Sequence, residues 1–335
     1  MKDPNPEQLQ QLVGERLGPY NSFNPVSRVQ VWQWCSAMGD RSPLYLDEAY
    51  QQGTEFSGKG VVAPPAMMQM WTMRDFNDDY APGSSSDHPY KVMQQLEALG
   101  FPGNVAVNYD IQFHRYLVEG DRVHHFKTVT HISDLKTTAL GRGYFFTDRM
   151  EYLDQNGELF AEALITYFQY QPAEQTQVQE EGTENKPAQQ TPIVESWTTD
   201  FEDIRVQDLE MGQTLPQMLI PIDHRLIVGG AIATQDYIPV HHNAPAAQAA
   251  AMPDIFMNIL TTSGLSARYL ADWAGPGSRL KQLKFRLMTP NTPGDTMVMQ
   301  GRVSNIEDQT VELEFSGMNN LGPHVMGTAS IKLAD

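Results

Sequence analysis

The stretch PDIFMNILTTSGLSARYLADWAG, residues 253–275, decides the fold. Its opening Pro-Asp pair suits the first turn and the positive end of a helix, and the Gly-Pro pair at 275–276 ends it. Apolar or small residues lie almost all round this helix, which predicts a buried position wrapped by a sheet. The small residues at 261–264 would let a ligand or another backbone approach closely, and helix packing alone explains them equally well.

The sequence QDYIPVHHN, at 235–243, places an acid five residues before a histidine. Pro239 fixes its own φ and pushes Ile238 out of the helical region, so a stiff turn can bring Asp236 and His241 together. An imidazole, with an ordinary pKa near ~6.5, suits a base at neutral pH. The same spacing is also common by chance among surface residues, so the interpretation depends on its context.

A degenerate copy of this pattern, GDRSPLY, lies at 39–45. Asp40 corresponds to Asp236, but Tyr45 stands in place of the histidine, and a phenol with an ordinary pKa near ~10 is a poor base. Gly-Asp pairs at 120–121 and 294–295 form a second set of landmarks, each before a strand-like run. The distance between the two landmarks is about 22 residues longer in the first half than in the second. We expect these extra residues to form a loop between 74 and 104.

Both halves contain runs that predict strands. They lie at 105–113, 122–132, 140–153 and 159–170, and at 280–287, 296–303, 310–317 and 326–333. In the first half a helix is predicted to begin after Ser27 and to end at Gly39, and a second helix is predicted at 64–76. Residues 171–193 are rich in Gln, Glu, Thr and Pro, which predicts a linker between two halves of one plan.

These features resemble the MaoC-like (R)-specific enoyl-CoA hydratases and dehydratases, whose motif is roughly G-D-x-N-P-[LIV]-H. Gln235 and Ile238 replace the glycine and the asparagine of that motif, while its acid, proline and histidine are kept. The resemblance implies an α+β double hotdog, which is two antiparallel sheets each wrapped around a central helix. It assigns 1–170 to a degenerate N-terminal hotdog, 171–193 to a linker and 194–335 to a catalytic hotdog.

A narrower similarity connects the chain with the steroid side-chain enoyl-CoA hydratases. It is carried by DYIPVHHN, PDIFMNILTTSGLSARYLADWAGP and PNTPGDTM. In that group the two hotdogs are separate chains, whereas here they would be fused. The resemblance implies hydration of the 2,3 double bond of a 2-enoyl-CoA, or the reverse dehydration, with a bulky acyl group such as a steroid side chain.

By motif position, Asp236 and His241 are the expected catalytic pair, with His241 as the principal base. The thioester oxygen gains negative charge as the enolate forms and therefore needs fixed hydrogen-bond donors. We expect these donors among the amides at the start of the buried helix, around Phe256, Met257 and Asn258. One active site per chain is predicted, with the N-terminal hotdog as scaffold and acyl pocket.

Two further groups are expected to bind the substrate. Gly264 would allow close approach to the buried helix, and Arg279 and Lys281 belong to the densest basic stretch, which would attract the phosphates of CoA. Solvated strand charges explain that stretch equally well. We expect no metal and no cofactor, since the histidines show no ligand spacing.

The net charge of −18 argues against nucleic acid or an anionic membrane as partner. A single cysteine excludes an internal disulfide and suits the cytoplasm, and a homodimer is expected by family analogy. Two rival functions remain open at this stage, a hotdog acyl-CoA thioesterase and a non-catalytic acyl-CoA-binding protein.

Overall fold

The computed structural model describes residues 9–172, 196–250 and 252–334. The strands are β1 (Arg16–Asn21), β2 (Gly103–Phe113), β3 (His124–Ile132), β4 (Lys136–Thr138), β5 (Gly141–Leu153), β6 (Leu159–Pro172), β7 (Thr214–Ile222), β8 (Arg279–Leu287), β9 (Asp295–Glu307), β10 (Thr310–Asn319) and β11 (Gly322–Lys332). The helices are α1 (Arg28–Met38), α2 (Pro43–Leu46), α3 (Glu48–Gln51), α4 (Lys91–Ala98), α5 (His224–Ala233), α6 (Ala244–Ala249) and α7 (Ile259–Ala274). Short 3-10 segments cover Pro65–Thr72, Val206–Asp208 and Pro239–His241.

All the strands belong to one antiparallel sheet in the order β1-β3-β5-β6-β2-β8-β11-β10-β9-β7, with β4 paired to β5. The order is the same when it is followed inward from either edge of the sheet. One half runs β1, β3, β5, β6, β2, and the other half runs β7, β9, β10, β11, β8. The two halves join where β2 pairs with β8, from Asn108 opposite Arg286 to Gln112 opposite Gln282. The internal repeat predicted from the two sets of landmarks is therefore present in the architecture.

Helix α7 is the buried helix of the C-terminal half, and nearly all of its residues are inaccessible to solvent. It begins at Ile259 and not, as the sequence predicted, near Pro253. The Asn258 side chain caps it by accepting a hydrogen bond from the Thr261 amide at 2.7 Å. The residues before Asn258 are not helical, because the amides of Phe256 and Met257 donate to the carbonyls of Val240 and Asn291.

The N-terminal half confirms one predicted helix and corrects two other expectations. Helix α1 follows its Ser27 cap and ends at Gly39, whose φ of 67° lies in the left-handed region that favours glycine. The helix predicted at 64–76 is instead the short 3-10 segment Pro65–Thr72, since a buried apolar run does not distinguish the two helix types. The loop predicted between 74 and 104 contains α4, which buries Val92 and Leu96 on one face.

The predicted linker, 171–193, lies mainly outside the described residues, and its first two residues belong to β6. Within the described ranges, no helix combines the length and the apolar character that crossing a membrane requires.

Two adjacent glycines in α5 provide a matched test of how closely it packs on α7. A Cβ at Gly230 would overlap the Thr261 side chain, whereas a Cβ at Gly229 would meet no atom within 4 Å. Alanine normally stabilises a helix relative to glycine by about 1 kcal/mol. We expect Gly229→Ala to raise the free energy of unfolding by ~0.5–1 kcal/mol, and Gly230→Ala to lower it by ~1–3 kcal/mol through overpacking. Urea unfolding measures both, and shifts of the same sign would contradict this packing.

Candidate active site

The turn after α5 brings the predicted acid and imidazole together. Pro239 begins the 3-10 segment Pro239–His241, and Ile238 before it is held at φ −58° and ψ 129°, as a residue before proline prefers. His241 Nε2 lies 3.6 Å from Asp236 Oδ2, and each residue is only 6% exposed. This distance is too long for a direct hydrogen bond and leaves the two polar atoms facing the same small space.

The His241 ring is oriented by a backbone carbonyl. Its Nδ1 lies 2.7 Å from the carbonyl oxygen of Phe256, which can only accept a hydrogen bond. Nδ1 therefore carries the proton, and the lone pair of the neutral ring is at Nε2, on the side of Asp236. The arrangement presents a base to the space between the two side chains.

Asp236 is held by the residue that caps α7. Asn258 Nδ2 donates to Asp236 Oδ2 at 3.0 Å and to Thr234 Oγ1 at 2.8 Å. The second carboxylate oxygen, Asp236 Oδ1, is buried and has no hydrogen-bond partner among the described residues. Since unpaired buried acceptors are costly in free energy, this atom is suited to a ligand or to a reacting molecule.

Gln235 occupies the position of the motif glycine with a φ of 56°. Its counterpart in the N-terminal half, Gly39, has nearly the same φ, 67°. The turn thus requires a left-handed residue in both halves, and a glutamine tolerates it only at a cost of order 1 kcal/mol.

Three of the predicted substrate-binding positions, Phe256, Met257 and Gly264, make different contacts from those expected. The amides of Phe256 and Met257 already donate to carbonyls, so Phe256 contributes its carbonyl and Asn258 its side chain. A Cβ at Gly264 would lie 2.8 Å from Trp34 and 3.0 Å from Met38, so the close approach that this glycine permits is to α1.

The basic stretch does not converge on Asp236 and His241. Arg279 is paired with Glu55 at 2.7 Å, and its guanidinium lies over the Phe56 ring at 5.1 Å, while Lys281 is exposed. Lys284 and Arg286 line a groove of about 1090 Å³ that spans strands of both halves and includes neither member of the acid–imidazole pair. Lys281, Lys284 and Arg286 are all exposed, whereas Arg279 is partly buried. Attraction of the CoA phosphates by Arg279 and Lys281 stays a prediction.

The counterpart of the site in the N-terminal half is buried and differently bonded. Tyr45 and Asp40 are each 5% exposed, and Asp40 Oδ1 accepts from the Ser42 amide at 2.9 Å. Arg268, from α7, donates to the Met38 carbonyl at 2.8 Å and to Asp272 at 3.2 Å. These residues link α7 to the end of α1, which is a structural role.

This cluster gives a pH-dependent contribution to stability. Burial, and then the negative charge of Asp40, raise the pKa of Asp272 to about 7 against the opposing effect of Arg268. The unfolded carboxyl loses its proton near pH ~4, so between about pH 4 and 7 the folded chain binds more protons than the unfolded chain. The free energy of unfolding therefore falls as the pH rises through this window.

We expect Asp272→Asn to lose less stability than the wild type between pH 5 and pH 7.5. Urea unfolding at both pH values measures the difference, with Asp308→Asn, in the exposed turn after β9, as control. An equal pH dependence in Asp272→Asn and the wild type would show that Asp272 titrates normally.

Comparisons with known proteins agree with the observed fold. A MaoC-like dehydratase of known structure superposes with a TM-score of 0.74 at 19% identity, covering 97% of this chain and 100% of that chain. A conserved hypothetical protein of Mycobacterium tuberculosis, described as having a double hotdog fold, gives 0.61 at 13% identity and covers 97% and 98%. The chain is therefore a double hotdog protein, and the fold expected from the sequence is confirmed.

Residues 11–163 match the family described as FAS1-like, dehydratase domain region, and 209–318 match the MaoC like domain. The chain is 38% identical over 125 residues to the 3-oxo-4,17-pregnadiene-20-carboxyl-CoA hydratase beta subunit of Mycobacterium tuberculosis, covering 37% of this chain and 97% of that protein. It is 36% identical over 185 residues to a probable enoyl-CoA hydratase alpha subunit of Thermomonospora curvata, covering 54% of this chain and 57% of that protein. The chain thus spans little more than half of that alpha subunit. It belongs to the MaoC-like dehydratase family.

Proposed function

We propose that the chain adds water across the 2,3 double bond of a 2-enoyl-CoA, or removes it in the reverse reaction, for a bulky acyl group such as a steroid side chain. The observation that carries this proposal is the buried pair of His241 Nε2 and Asp236 Oδ2, 3.6 Å apart. The names of the relatives, which are hydratases of enoyl-CoA and of a steroid side-chain CoA ester, support the same reaction.

The geometry suggests how the water is activated. A water molecule between the two side chains can donate one hydrogen to His241 Nε2 and the other to Asp236 Oδ2. His241 takes the first proton as the water oxygen bonds to C3 of the enoyl group, and the same proton is then delivered to C2. Both hydrogens and the oxygen of the water end in the product, and the histidine returns to its neutral state.

Asp236 orients the water in this scheme, and Asn258 keeps the carboxylate in place. We propose that 194–335 carries the chemistry and that 1–170 serves as scaffold and acyl pocket, because Tyr45 replaces the histidine there and Asp40 Oδ1 accepts from the Ser42 amide. We also propose a cytoplasmic homodimer, with Cys35 buried and unpaired, as a reducing compartment permits.

The decisive experiment is an assay of purified protein with enoyl-CoA esters that range from short and linear to steroid-sized. Loss of the absorbance of the conjugated enoyl thioester, without release of free thiol, supports the hydratase. Free thiol released from saturated acyl-CoA would indicate a thioesterase. Binding of acyl-CoA without any reaction would indicate a non-catalytic protein.

A further inference from the structure

The segment Phe256–Asn258 is hydrogen-bonded to both members of the acid–imidazole pair. The Phe256 carbonyl lies 2.7 Å from His241 Nδ1, and Asn258 Nδ2 donates to Asp236 Oδ2 at 3.0 Å. The segment is neither helix nor strand, so no regular ladder of backbone hydrogen bonds fixes its position. The groups that hold this segment therefore set the position of the acid relative to the base.

The middle of the segment is held by Asn291, in the loop between β8 and β9. The Met257 amide donates to the Asn291 carbonyl at 3.0 Å, and Asn291 is 0% exposed. Asn291 Oδ1 accepts from Asn319 Nδ2 at 3.0 Å, and the same Nδ2 donates to the Pro290 carbonyl at 2.9 Å. These bonds tie the loop to the end of β10 and so restrain the carbonyl that receives the Met257 amide.

The C-terminal end of the segment is held by His324, on β11. His324 Nδ1 lies 2.7 Å from the Thr289 carbonyl, so Nδ1 carries the proton and Nε2 accepts from the Thr262 hydroxyl at 2.8 Å. Thr262 stands one helical turn after Asn258, and its amide donates to the Asn258 carbonyl at 3.1 Å. His324 is 2% exposed, and burial lowers the pKa of its imidazole to about 4. The ring is therefore neutral near pH 7, and these bonds persist there.

The counterpart of Asn291 in the N-terminal half is apolar. The Ala63 amide donates to the Leu117 carbonyl at 2.9 Å, as the Met257 amide does to the Asn291 carbonyl. Leu117 and Asn291 also stand at the same place in the sequence, three residues before the Gly-Asp landmark of each half. Leu117 is 4% exposed. The fold thus uses the backbone hydrogen bond in both halves and accepts a leucine at this position.

The counterpart of His324 is apolar too. The amide that follows β2 donates to the Phe160 carbonyl at 2.8 Å, as the amide that follows β8 donates to the His324 carbonyl at 2.9 Å. Met68 stands four residues after the cap of the 3-10 segment, as Thr262 stands four residues after the cap of α7. Phe160 and Met68 are 1% and 2% exposed. A fully hydrogen-bonded buried network makes its surroundings rigid, and this one lies in the half that has the acid–imidazole pair.

We propose that His324 and Asn291 are positioning residues of the hydratase site. By fixing the segment Phe256–Asn258 from two sides, they keep His241 Nε2 and Asp236 Oδ2 turned toward one water molecule. In the described part of the chain neither side chain hydrogen-bonds to the acid or the base, so both act through this segment. A displacement of about 1 Å can lower turnover roughly 10²-fold even when its cause lies away from the substrate. The inference rests on the proposed hydratase function.

His324→Phe and Asn291→Leu introduce the side chains that the N-terminal half has at the same positions. We expect each variant to lower kcat on the preferred enoyl-CoA by roughly 10- to 100-fold through misplacement of the pair. We expect KM to stay within about 3-fold of the wild type, because substrate binding itself is not changed. Steady-state kinetics with the folded variants measures both constants.

Tyr269→Phe is the matched control, since it removes another buried hydrogen bond of α7. Tyr269 is 0% exposed, and its hydroxyl donates to the Pro216 carbonyl at 3.0 Å, about three turns from Asn258. Its kcat should stay within about 3-fold of the wild type, as substitutions away from a site usually do little to it. If His324→Phe and Asn291→Leu keep the kcat of Tyr269→Phe, both residues are only structural and the inference is overturned.

A second pair of variants tests the hydrogen bond of His324 without changing the histidine. Thr262→Val removes the hydroxyl and keeps the shape, whereas Thr262→Ser keeps the hydroxyl. We expect kcat to fall roughly 10-fold in Thr262→Val, about the worth of one buried hydrogen bond, and to stay within about 3-fold in Thr262→Ser. Equal kcat in the two overturns the inference, even if His324→Phe fails to fold. These outcomes leave the hydratase standing, whereas absence of hydration by the wild type overturns both.

Discussion

His241→Ala should lower turnover on the preferred enoyl-CoA by roughly 10²- to 10⁴-fold, the range for loss of a general acid–base group. The variant loses the Nε2 lone pair that accepts the proton of water, and with it the hydrogen bond to the Phe256 carbonyl. Asp236→Asn should cost a similar factor, because an amide cannot accept through its nitrogen and would present a donor to Asn258. Steady-state kinetics with the folded variants measures both losses.

His242→Ala is the matched control for this experiment. His242 is adjacent in sequence but exposed, and its Nε2 lies 3.1 Å from the Tyr237 carbonyl oxygen. Its turnover should stay within about 3-fold of the wild type, as surface substitutions usually do little. If His241→Ala kept turnover in that same range, the base would have to be another group.

Asn258→Ala combines two losses, because this side chain caps α7 and also holds Asp236. We expect turnover to fall by roughly 10- to 100-fold as the carboxylate loses its donor, which is about the worth of a hydrogen bond to a charged group. We expect the free energy of unfolding to fall by about 1–2 kcal/mol through loss of the cap. Kinetics and urea unfolding of one preparation give both values.

Asn243→Ala separates the two effects. Asn243 caps α6 by accepting from the Ala246 amide at 3.3 Å and makes no contact with Asp236 in the described structure. Its loss should destabilise the chain by a similar amount without a comparable loss of turnover. If Asn258→Ala is destabilised but keeps the turnover of Asn243→Ala, then Asn258 is only a cap.

The sequence predicted the architecture because the relevant signals are local and occur twice. An apolar pattern all round α7 leaves burial as its only favourable position, and the Gly-Asp landmarks mark strand entrances in each half. The proximity of Asp236 and His241 followed from Pro239, which restricts two consecutive residues.

The sequence could not predict the contacts that depend on distant segments. Whether Phe256 offers its amide or its carbonyl depends on the path of a loop, and Arg279 is neutralised by Glu55, more than two hundred residues away. The sequence also carried no signal for the buried ion pair between Lys127 and Asp148, 2.7 Å apart, since a lysine within an alternating strand is usually an exposed residue.

The pairing of β2 with β8 has a consequence for how proteins of this fold can be encoded. Within the described sheet, each pair of hydrogen-bonded strands lies wholly before residue 173 or wholly after residue 195, apart from the pair of β2 and β8. A polypeptide break between those points would therefore cost no pairing, and two shorter products could assemble into the same sheet. One gene or two genes can thus encode the same double hotdog. A covalent connection between the halves reduces the translational and rotational entropy that is lost when they associate.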